Sequence, residues 1–257
     1  KSQFILLVHY FGTSIKNFEY IIDFCKKHSI LIIEDCAHCF GAKYKNRFLG
    51  TFGDFAIFSL KKFFPIISGG LLLVNKVDIS IDDNLVSKKK IKYLLIVKKF
   101  LKTNFIIKLF PLKLKSRNNI EDLQSNNTLY EMDNLSRYIF HRQNFEKISE
   151  KRKQNFLYYL NEFKFLNINL IQKLDNNFSP WVFPVIVKEN CKTLYQILLN
   201  NGISCEIWDF LPQIVFFNEK FSNVIKFSKN ILLLPVHQNM TKRELKFVSS
   251  KIKGFCK

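Results

Sequence analysis

An amine, two carboxylates and an imidazole fall close together in about the first quarter of the chain. Glu34-Asp35-Cys36-Ala37-His38 follows one apolar run, Ser59 ends a later one, and Lys62 comes three residues on, eight before Gly70. A lysine can serve as nucleophile, general base and acid once its surroundings desolvate the amine, because an ammonium in bulk water is a poor nucleophile. A neighbouring carboxylate favours the charged form of a cationic partner. Taken singly, each group has a plainer reading. An acidic pair at a strand end commonly caps or faces solvent, a serine there commonly does nothing, and lysine is abundant throughout this chain.

Cys36-Ala37-His38-Cys39 also forms a CxxC with an internal histidine. A structural zinc site needs further ligands at matching spacing, and the chain has no second CxxC and no HxxxH. A thioredoxin-type motif would open a helix after a strand. The six cysteines show no disulfide framework in a chain this long, so buried structural thiols in a reducing cytoplasm are expected, with no metal.

The elements that must position these groups follow from the apolar pattern. Gln3–His9 reads as a strand buried on both faces, ending at Gly12. Thr13 or Ser14 can cap a helix whose apolar residues Ile15, Phe18, Ile22 and Cys25 recur at three- and four-residue steps. Ile30–Ile33 is the next strand, so the three elements make a βαβ unit with parallel strands. In open parallel sheets ligands bind beyond the carboxyl ends of the strands, where Glu34-Asp35 stands. Phe55–Leu60 is a further strand. If it too is parallel, Lys61-Lys62 reaches the same edge, and Gly69-Gly70 then leads into a strand over Leu71–Val74. Residues 78 to 128 mix a basic amphipathic stretch with the polar run Asn118–Asn127, a surface connection. Tyr130 to about Phe163 is helical in pattern, one long helix joining two domains. Trp181–Val187, Ile203–Ile207 and Ile231–Leu234 read as strands, Lys192–Asn200 as a helix stopped by Gly202, and Thr241-x-x-Glu244 as a capping box opening the last helix.

The chain of 257 residues can bury a sizeable core, and its 47% apolar and 24% charged residues are those of a soluble globular protein. Tyr93–Leu112 comes nearest to a membrane span, but Lys98, Lys99, Lys102 and Lys108 break it. The formal charge of +19 invites a nucleic-acid reading. Basic residues are widely spread, however, apart from Lys88–Lys92 and the segment that follows to Lys115, so a solvated basic face is the simpler account. The chain starts with Lys1 and runs at once into Phe4–Val8, which reads as the middle of a domain and suggests an N-terminally truncated fragment. Such a fragment would expose an unpaired apolar edge and behave poorly alone.

Taken together and in this order, these pieces resemble the DegT/DnrJ/EryC1/StrS family of pyridoxal-phosphate (PLP) sugar aminotransferases. That family carries an acidic EDxA[QH] segment, a G-D-x-x-x-F-S strand, matched here by Gly53-Asp54-Phe55-Ala56-Ile57-Phe58-Ser59, and a lysine ahead of a Gly-Gly pair. Gly41-Ala42-Lys43-Tyr44 with Gly50 and Gly53, Gly202-Ile203-Ser204, and Leu234-Pro235-Val236-His237-Gln238 before the Thr241 helix extend the likeness. The resemblance implies a fold-type-I PLP transferase of α/β class. Its large-domain sheet would be partial and mostly parallel, and its C-terminal α+β domain small. The expected divisions are 1–128 for the PLP-binding part, 129–165 for the bridging helix and 166–257 for the small domain.

The resemblance also implies roles. Asp35 would hold the pyridine nitrogen protonated, His38 would stand beside the ring hydroxyl, Ser59 would contact the phosphate, and Lys62 would bind the cofactor covalently and then shuttle protons. Lys61 is the rival for the covalent role, and the spacing to Gly69-Gly70 favours Lys62. The donor that the resemblance implies is an amino acid, glutamate, the acceptor a nucleotide-linked keto-sugar, and the assembly a homodimer, with neither nucleic acid nor membrane as a partner. The family's Asn and Arg near the start of the bridging helix are not evident, since Leu129 and Glu131 stand about where they would fall. A non-catalytic homologue with a structural or regulatory role is the competing reading. A dehydratase variant would carry histidine in place of Lys62.

Overall fold

The computed structural model describes residues 3–76, 131–166, 169–170, 177–209, 211, 215 and 218–256. The basic segment 88–115, the run Asn118–Asn127 and Leu129 lie outside the described residues. Strands β1 (Phe4–Val8), β2 (Leu31–Asp35), β5 (Phe55–Ser59) and β6 (Gly70–Val74) form one sheet in the order β1-β2-β5-β6. β1, β2 and β5 run parallel, and β6 is antiparallel to β5. Helix α1 (Phe18–Lys27) makes the crossover between β1 and β2 and buries Phe18, Ile22 and Cys25. These pack against Leu7, Ile32 and Ala56 of the sheet, so the apolar period read from the sequence is the buried face of the helix.

Alternation along the strands gives the sheet two unlike faces. The α1 face carries Leu7, Ile32, Glu34 and Ala56, all buried. The opposite face carries Phe4 and Leu6 of β1, Leu31 of β2, Ile57 of β5 and Leu72 of β6, which are 41–61% exposed. Asp35 and Ser59 lie at the carboxyl-end edge of that second face, because register pairs Asp35 with Ile57 and alternation puts Ser59 two residues further along the same side. An exposed apolar surface of this kind binds apolar probes and promotes association. The 257-residue chain is therefore expected to bind a hydrophobic fluorescent dye in its folded state, and Leu6→Lys with Ile57→Lys is expected to remove most of the signal. Equal dye binding by the double variant would show that another surface is responsible.

Between β2 and β5 a short hairpin pairs β3 (Lys43–Tyr44) with β4 (Arg47–Phe48). Lys45 and Asn46 turn with φ of 46° and 65°, as a two-residue hairpin loop that matches strand twist requires. After the first sheet come α2 (Asn134–His141) and α3 (Phe145–Glu162). The second sheet, in the order β7-β8-β10-β9, joins Asn169–Leu170, Val182–Ile186, Ile231–Pro235 and Glu206–Ile207, each pair antiparallel. Helices α4 (Cys191–Asn200) and α6 (Lys242–Phe255), with α5 (Ser222–Ser228) before β10, complete it. Leu194 and Leu198 of α4, Leu245, Val248 and Ile252 of α6, and Phe156 and Tyr159 of α3 share one core with Phe183, Leu232 and Leu234. Among the described residues, no helix is long and apolar enough to cross a membrane.

Three readings of the sequence need correction. The single long helix over about 130–163 is two, broken at Arg142-Gln143-Asn144, because Asn144 accepts from the Lys147 amide and caps a new helix. The first helix begins at Phe18 after Asn17 rather than at Thr13 or Ser14, since Tyr10–Gly12 form a tight 3₁₀ turn that leaves Thr13 extended. The strand over Ile203–Ile207 shrinks to Glu206–Ile207. Thr241 does form the reciprocal capping box with Glu244.

Candidate active site

The two carboxylates of the Glu34-Asp35 pair point to opposite faces of β2 and do different work. Glu34 is fully buried on the α1 side. Its Oε2 accepts from His9 Nε2 at 3.0 Å and from the Gly50 amide at 2.8 Å, and its Oε1 accepts from the amides of Phe52 at 2.8 Å and Gly53 at 2.7 Å. A carboxylate has about four acceptor positions, and here protein donors fill them. Burial alone would raise the Glu34 pKa, but the hydrogen bonds from His9, Gly53 and Gly50 and the charge of His9 outweigh it and hold it below the ordinary value. His9, Glu34 and Cys36 bring their ligand atoms within 4.8 Å of one another. With Glu34 saturated, hydrogen bonding accounts for that grouping, and Glu34 becomes the anchor of the 50–53 turn.

Cys36 and Cys39 are buried and unpaired by disulfide. The hydrogen bond that the Cys36 thiol donates to Cys39, burial and nearby carboxylates all push its pKa upward, so it stays protonated and unreactive. The CxxC is thus core.

Asp35 is half-buried on the open face. Its Oδ1 accepts from the Ala37 amide at 2.9 Å, which turns the chain so that His38 folds back under the loop after β1. In that loop Tyr10 feels the charge of Asp35: burial first, then this carboxylate, raise its phenol pKa. The Tyr10 ring lies 5.7 Å from the His38 ring, and the buried Phe11 stacks on His38 at 5.7 Å and 24°. Phe11 holds a φ of 55°, a strained setting for a bulky residue. It is sustained by packing against Ile231, Leu233, Trp181 and Trp208 of the second sheet region.

Lys62 sits in the 3₁₀ turn Leu60–Lys62 that follows β5. Lys61 is exposed and Lys62 is half-buried. The Lys62 Nζ lies 4.7 Å from the centre of the Trp181 ring. On that same indole packs His38, with ring centres 4.2 Å apart. Burial, and then the charge of Lys62, lower the His38 pKa to about 3, so the imidazole is neutral at ordinary pH. Asp35, Tyr10, His38, Trp181 and Lys62 therefore form a continuous chain of contacts and fields at one sheet edge. Ser59 reaches that edge by its strand position alone.

This neutral imidazole makes stability pH-dependent. The unfolded chain protonates His38 near 6.5, whereas the fold resists protonation down to about 3. Its contribution is whole above 6.5 and declines as pH falls toward about 3, by at most about 1.4 kcal/mol per pH unit. Glu34, with its pKa lowered from 4.5, loses its contribution below that value, in the same sense. His38→Gln is expected to flatten the stability curve between 6.5 and the carboxylate range. An unchanged slope in urea titrations over that window would contradict a neutral buried His38.

The residues that hold Trp181 in place were not legible as site residues in the sequence. Asn177 accepts from the Lys43 amide at 2.9 Å, the Ser179 amide donates to Gly12 at 3.0 Å, and Ser179 Oγ donates to the Phe40 carbonyl at 2.6 Å. Gly12 is required by this approach. Its φ is +100°, and a Cβ there would stand 2.2 Å from the Ser179 carbonyl oxygen. Trp208 closes the other side, 5.5 Å from His38 and 6.1 Å from Tyr10. A usable signal did exist: the chain has only two tryptophans, and both converge here. On the far side of Lys62, Ser68 Oγ donates to Asp133 Oδ2, and Asp133 caps α2 through the Ser136 amide at 2.8 Å. This fixes the turn before Gly69-Gly70.

Known proteins share both the sequence pattern and this fold. GDP-perosamine synthase of Escherichia coli O157:H7 is 38% identical over 77 residues, 29% of this chain and 21% of that one. The UDP-4-amino-4,6-dideoxy-N-acetyl-beta-L-altrosamine transaminase of Campylobacter jejuni subsp. jejuni serotype O:23/36 is 26% identical over 271 residues, covering 98% of this chain and 67% of its own. In fold, the E. coli GDP-4-keto-6-deoxy-D-mannose-3-dehydratase with bound hydrated PLP superposes with a TM-score of 0.65 at 19% identity, over 97% of this chain and 67% of that one. The chain thus spans at most about two thirds of the length of these relatives. The model of the DegT/DnrJ/EryC1/StrS aminotransferase family matches residues 1–253, so nearly every element described above is accounted for within it, and the chain belongs to that family.

Proposed function

We propose that the protein transfers an amino group from an amino acid, glutamate by the family likeness, to a nucleotide-linked keto-sugar, using PLP held covalently by Lys62. The observation that carries this reading is the Lys62 amine seated 4.7 Å over Trp181, on which the buried His38 also packs. The names of the E. coli and C. jejuni relatives support a nucleotide-sugar acceptor. The PLP carried by the structurally similar dehydratase supports the cofactor.

The residues present suit that cofactor. His38 Nδ1 is buried and has no hydrogen-bond partner among the described residues, a costly state that a ligand hydroxyl relieves. Trp181 flanks the amine, and Phe11 and Trp208 pack around His38 beside it. When bound, PLP supplies an electron sink for the carbanion formed at the donor's α-carbon. Asp35 would hold the pyridine nitrogen protonated by favouring its charged form. His38, neutral, would offer one hydrogen bond to the ring hydroxyl, and Ser59 would donate to the phosphate. Lys62, the amine that would hold the cofactor, would accept and return a proton at Nζ. Lys61 faces solvent and takes no part.

In this reading residues 1–128 belong to the cofactor-binding unit, 129–165 join it to the small unit of 166–257, and the working assembly is a homodimer. The test is a half-reaction that needs no sugar. Protein loaded with PLP is mixed with glutamate, and with glutamine in a parallel arm, and the 2-oxo acid released is measured. About one equivalent per bound cofactor is expected from the productive donor. PLP bound at Lys62 with no oxo acid from either donor would instead favour a non-catalytic member of the family.

A further inference from the structure

Arg152, in the middle of α3, is 1% exposed. Burying a guanidinium is costly unless its donors are met, and the acceptors that meet them are neutral. Nε donates to Gln238 Oε1 at 2.8 Å. Nη1 donates to the carbonyls of Trp181 at 3.0 Å and Pro180 at 3.4 Å. Nη2 donates to the carbonyls of Lys62 at 3.0 Å and Phe63 at 3.5 Å, and the guanidinium lies 4.9 Å over the Phe63 ring. Gln238 closes the circuit by donating from Nε2 to the Phe63 carbonyl at 3.0 Å. Burial lowers the Arg152 pKa only to about 9, so the group is cationic at neutral pH. One rigid fork therefore holds the backbone of the lysine, the backbone of the indole under its amine, and the segment before α6.

We propose that Arg152 is a positioning residue that fixes the Lys62 turn and Trp181 relative to each other, and so sets where the Lys62 amine stands. Its meaning for catalysis rests on Lys62 being the cofactor amine, but the positioning itself exists without cofactor. The geometry requires arginine. A lysine at 152 offers a point charge with three rotatable donors and cannot span both carbonyl pairs and Gln238 in fixed directions. Asn155, one turn along α3, is the natural control, since it donates to the His237 carbonyl at 2.8 Å and the Val236 carbonyl at 3.3 Å, ties that stabilise the same helix without touching Lys62.

The experiment uses cofactor-free protein, trace acetylation with acetic anhydride across a pH series, and fragment-ion mass spectrometry to read Lys62 against its exposed neighbour Lys61. In the unaltered protein Lys62, half-buried against Trp181, is acetylated several-fold more slowly than the exposed Lys61. Arg152→Met brings the two rates together, Arg152→Lys moves them part of the way, and Asn155→Ala lowers the melting temperature while leaving the ratio unchanged. If Arg152→Met does not fold, Arg152→Lys and Gln238→Met, which removes the Nε acceptor, must each raise the ratio. An unaltered ratio in the folded variants overturns the proposal, as does an equal rise in Asn155→Ala. Borohydride trapping of PLP on the unaltered protein is read separately: no adduct with the ratio behaving as stated sinks the cofactor reading and leaves the positioning role standing.

Discussion

Lys62→Ala is expected to lower the amino-donor half-reaction at least about 10³-fold, because it removes both the covalent anchor and the proton carrier. Lys61→Ala should stay near the unaltered rate. The two lysines are adjacent in one 3₁₀ turn, so general disturbance of the turn affects both variants, and only the chemical role separates them. The separation follows from their surroundings. Lys61 is exposed, whereas the Lys62 amine lies on Trp181 beside the buried His38. Adding a small primary amine should restore part of the rate in Lys62→Ala, since the missing group is then supplied from solution. A rate in Lys62→Ala within a few-fold of the unaltered protein would remove Lys62 from the chemistry.

Glu34→Gln should be the most destabilising conservative change in the first sheet, costing about 3 kcal/mol or more in urea unfolding. The reason is specific. Three backbone amides and His9 Nε2 converge on the two carboxylate oxygens, and an amide nitrogen in place of one oxygen sets donor against donor in a fully buried site. The loss appears as a lower midpoint with an unchanged slope. Asp35→Asn, one residue on, should cost little stability by comparison, because Asp35 is half-buried and its Oδ1 accepts from the Ala37 amide, a bond that the Asn Oδ1 can keep. Its effect should fall on the cofactor. Equal destabilisation by both variants would contradict the division of labour between the two faces of β2.

That division shows how far the sequence could be read. Parallel pairing of β1 and β2 followed from the apolar runs and the helix between them, while the direction of β5 was left open, and with β5 parallel Asp35, Ser59 and the Lys61-Lys62 pair meet at one edge. Alternation then put Glu34 on the opposite face from Asp35, although the pair had looked like a unit. The rest of the site depends on contacts between residues far apart in the chain. Arg152 meets the Lys62 carbonyl across 90 positions, and nothing local marks it except that a charged residue falls between Ile148 and Phe156 on the apolar stripe of α3. Trp181 and Trp208 enter from the second sheet region, and Phe11 requires a backbone conformation that its own type disfavours. Local pattern supplies the strand tips. Which aromatic rings close over them is decided by how the second sheet packs against the first.

The most direct measurement is to load the protein with PLP, reduce it with borohydride and locate the pyridoxyl group by peptide fragmentation. A single adduct on Lys62, lost in Lys62→Ala and kept in Lys61→Ala, is the expected result. An adduct on Lys61 alone, or one spread over the many surface lysines with Lys62 unmodified, would contradict the assignment of the amine on Trp181 as the cofactor-binding group.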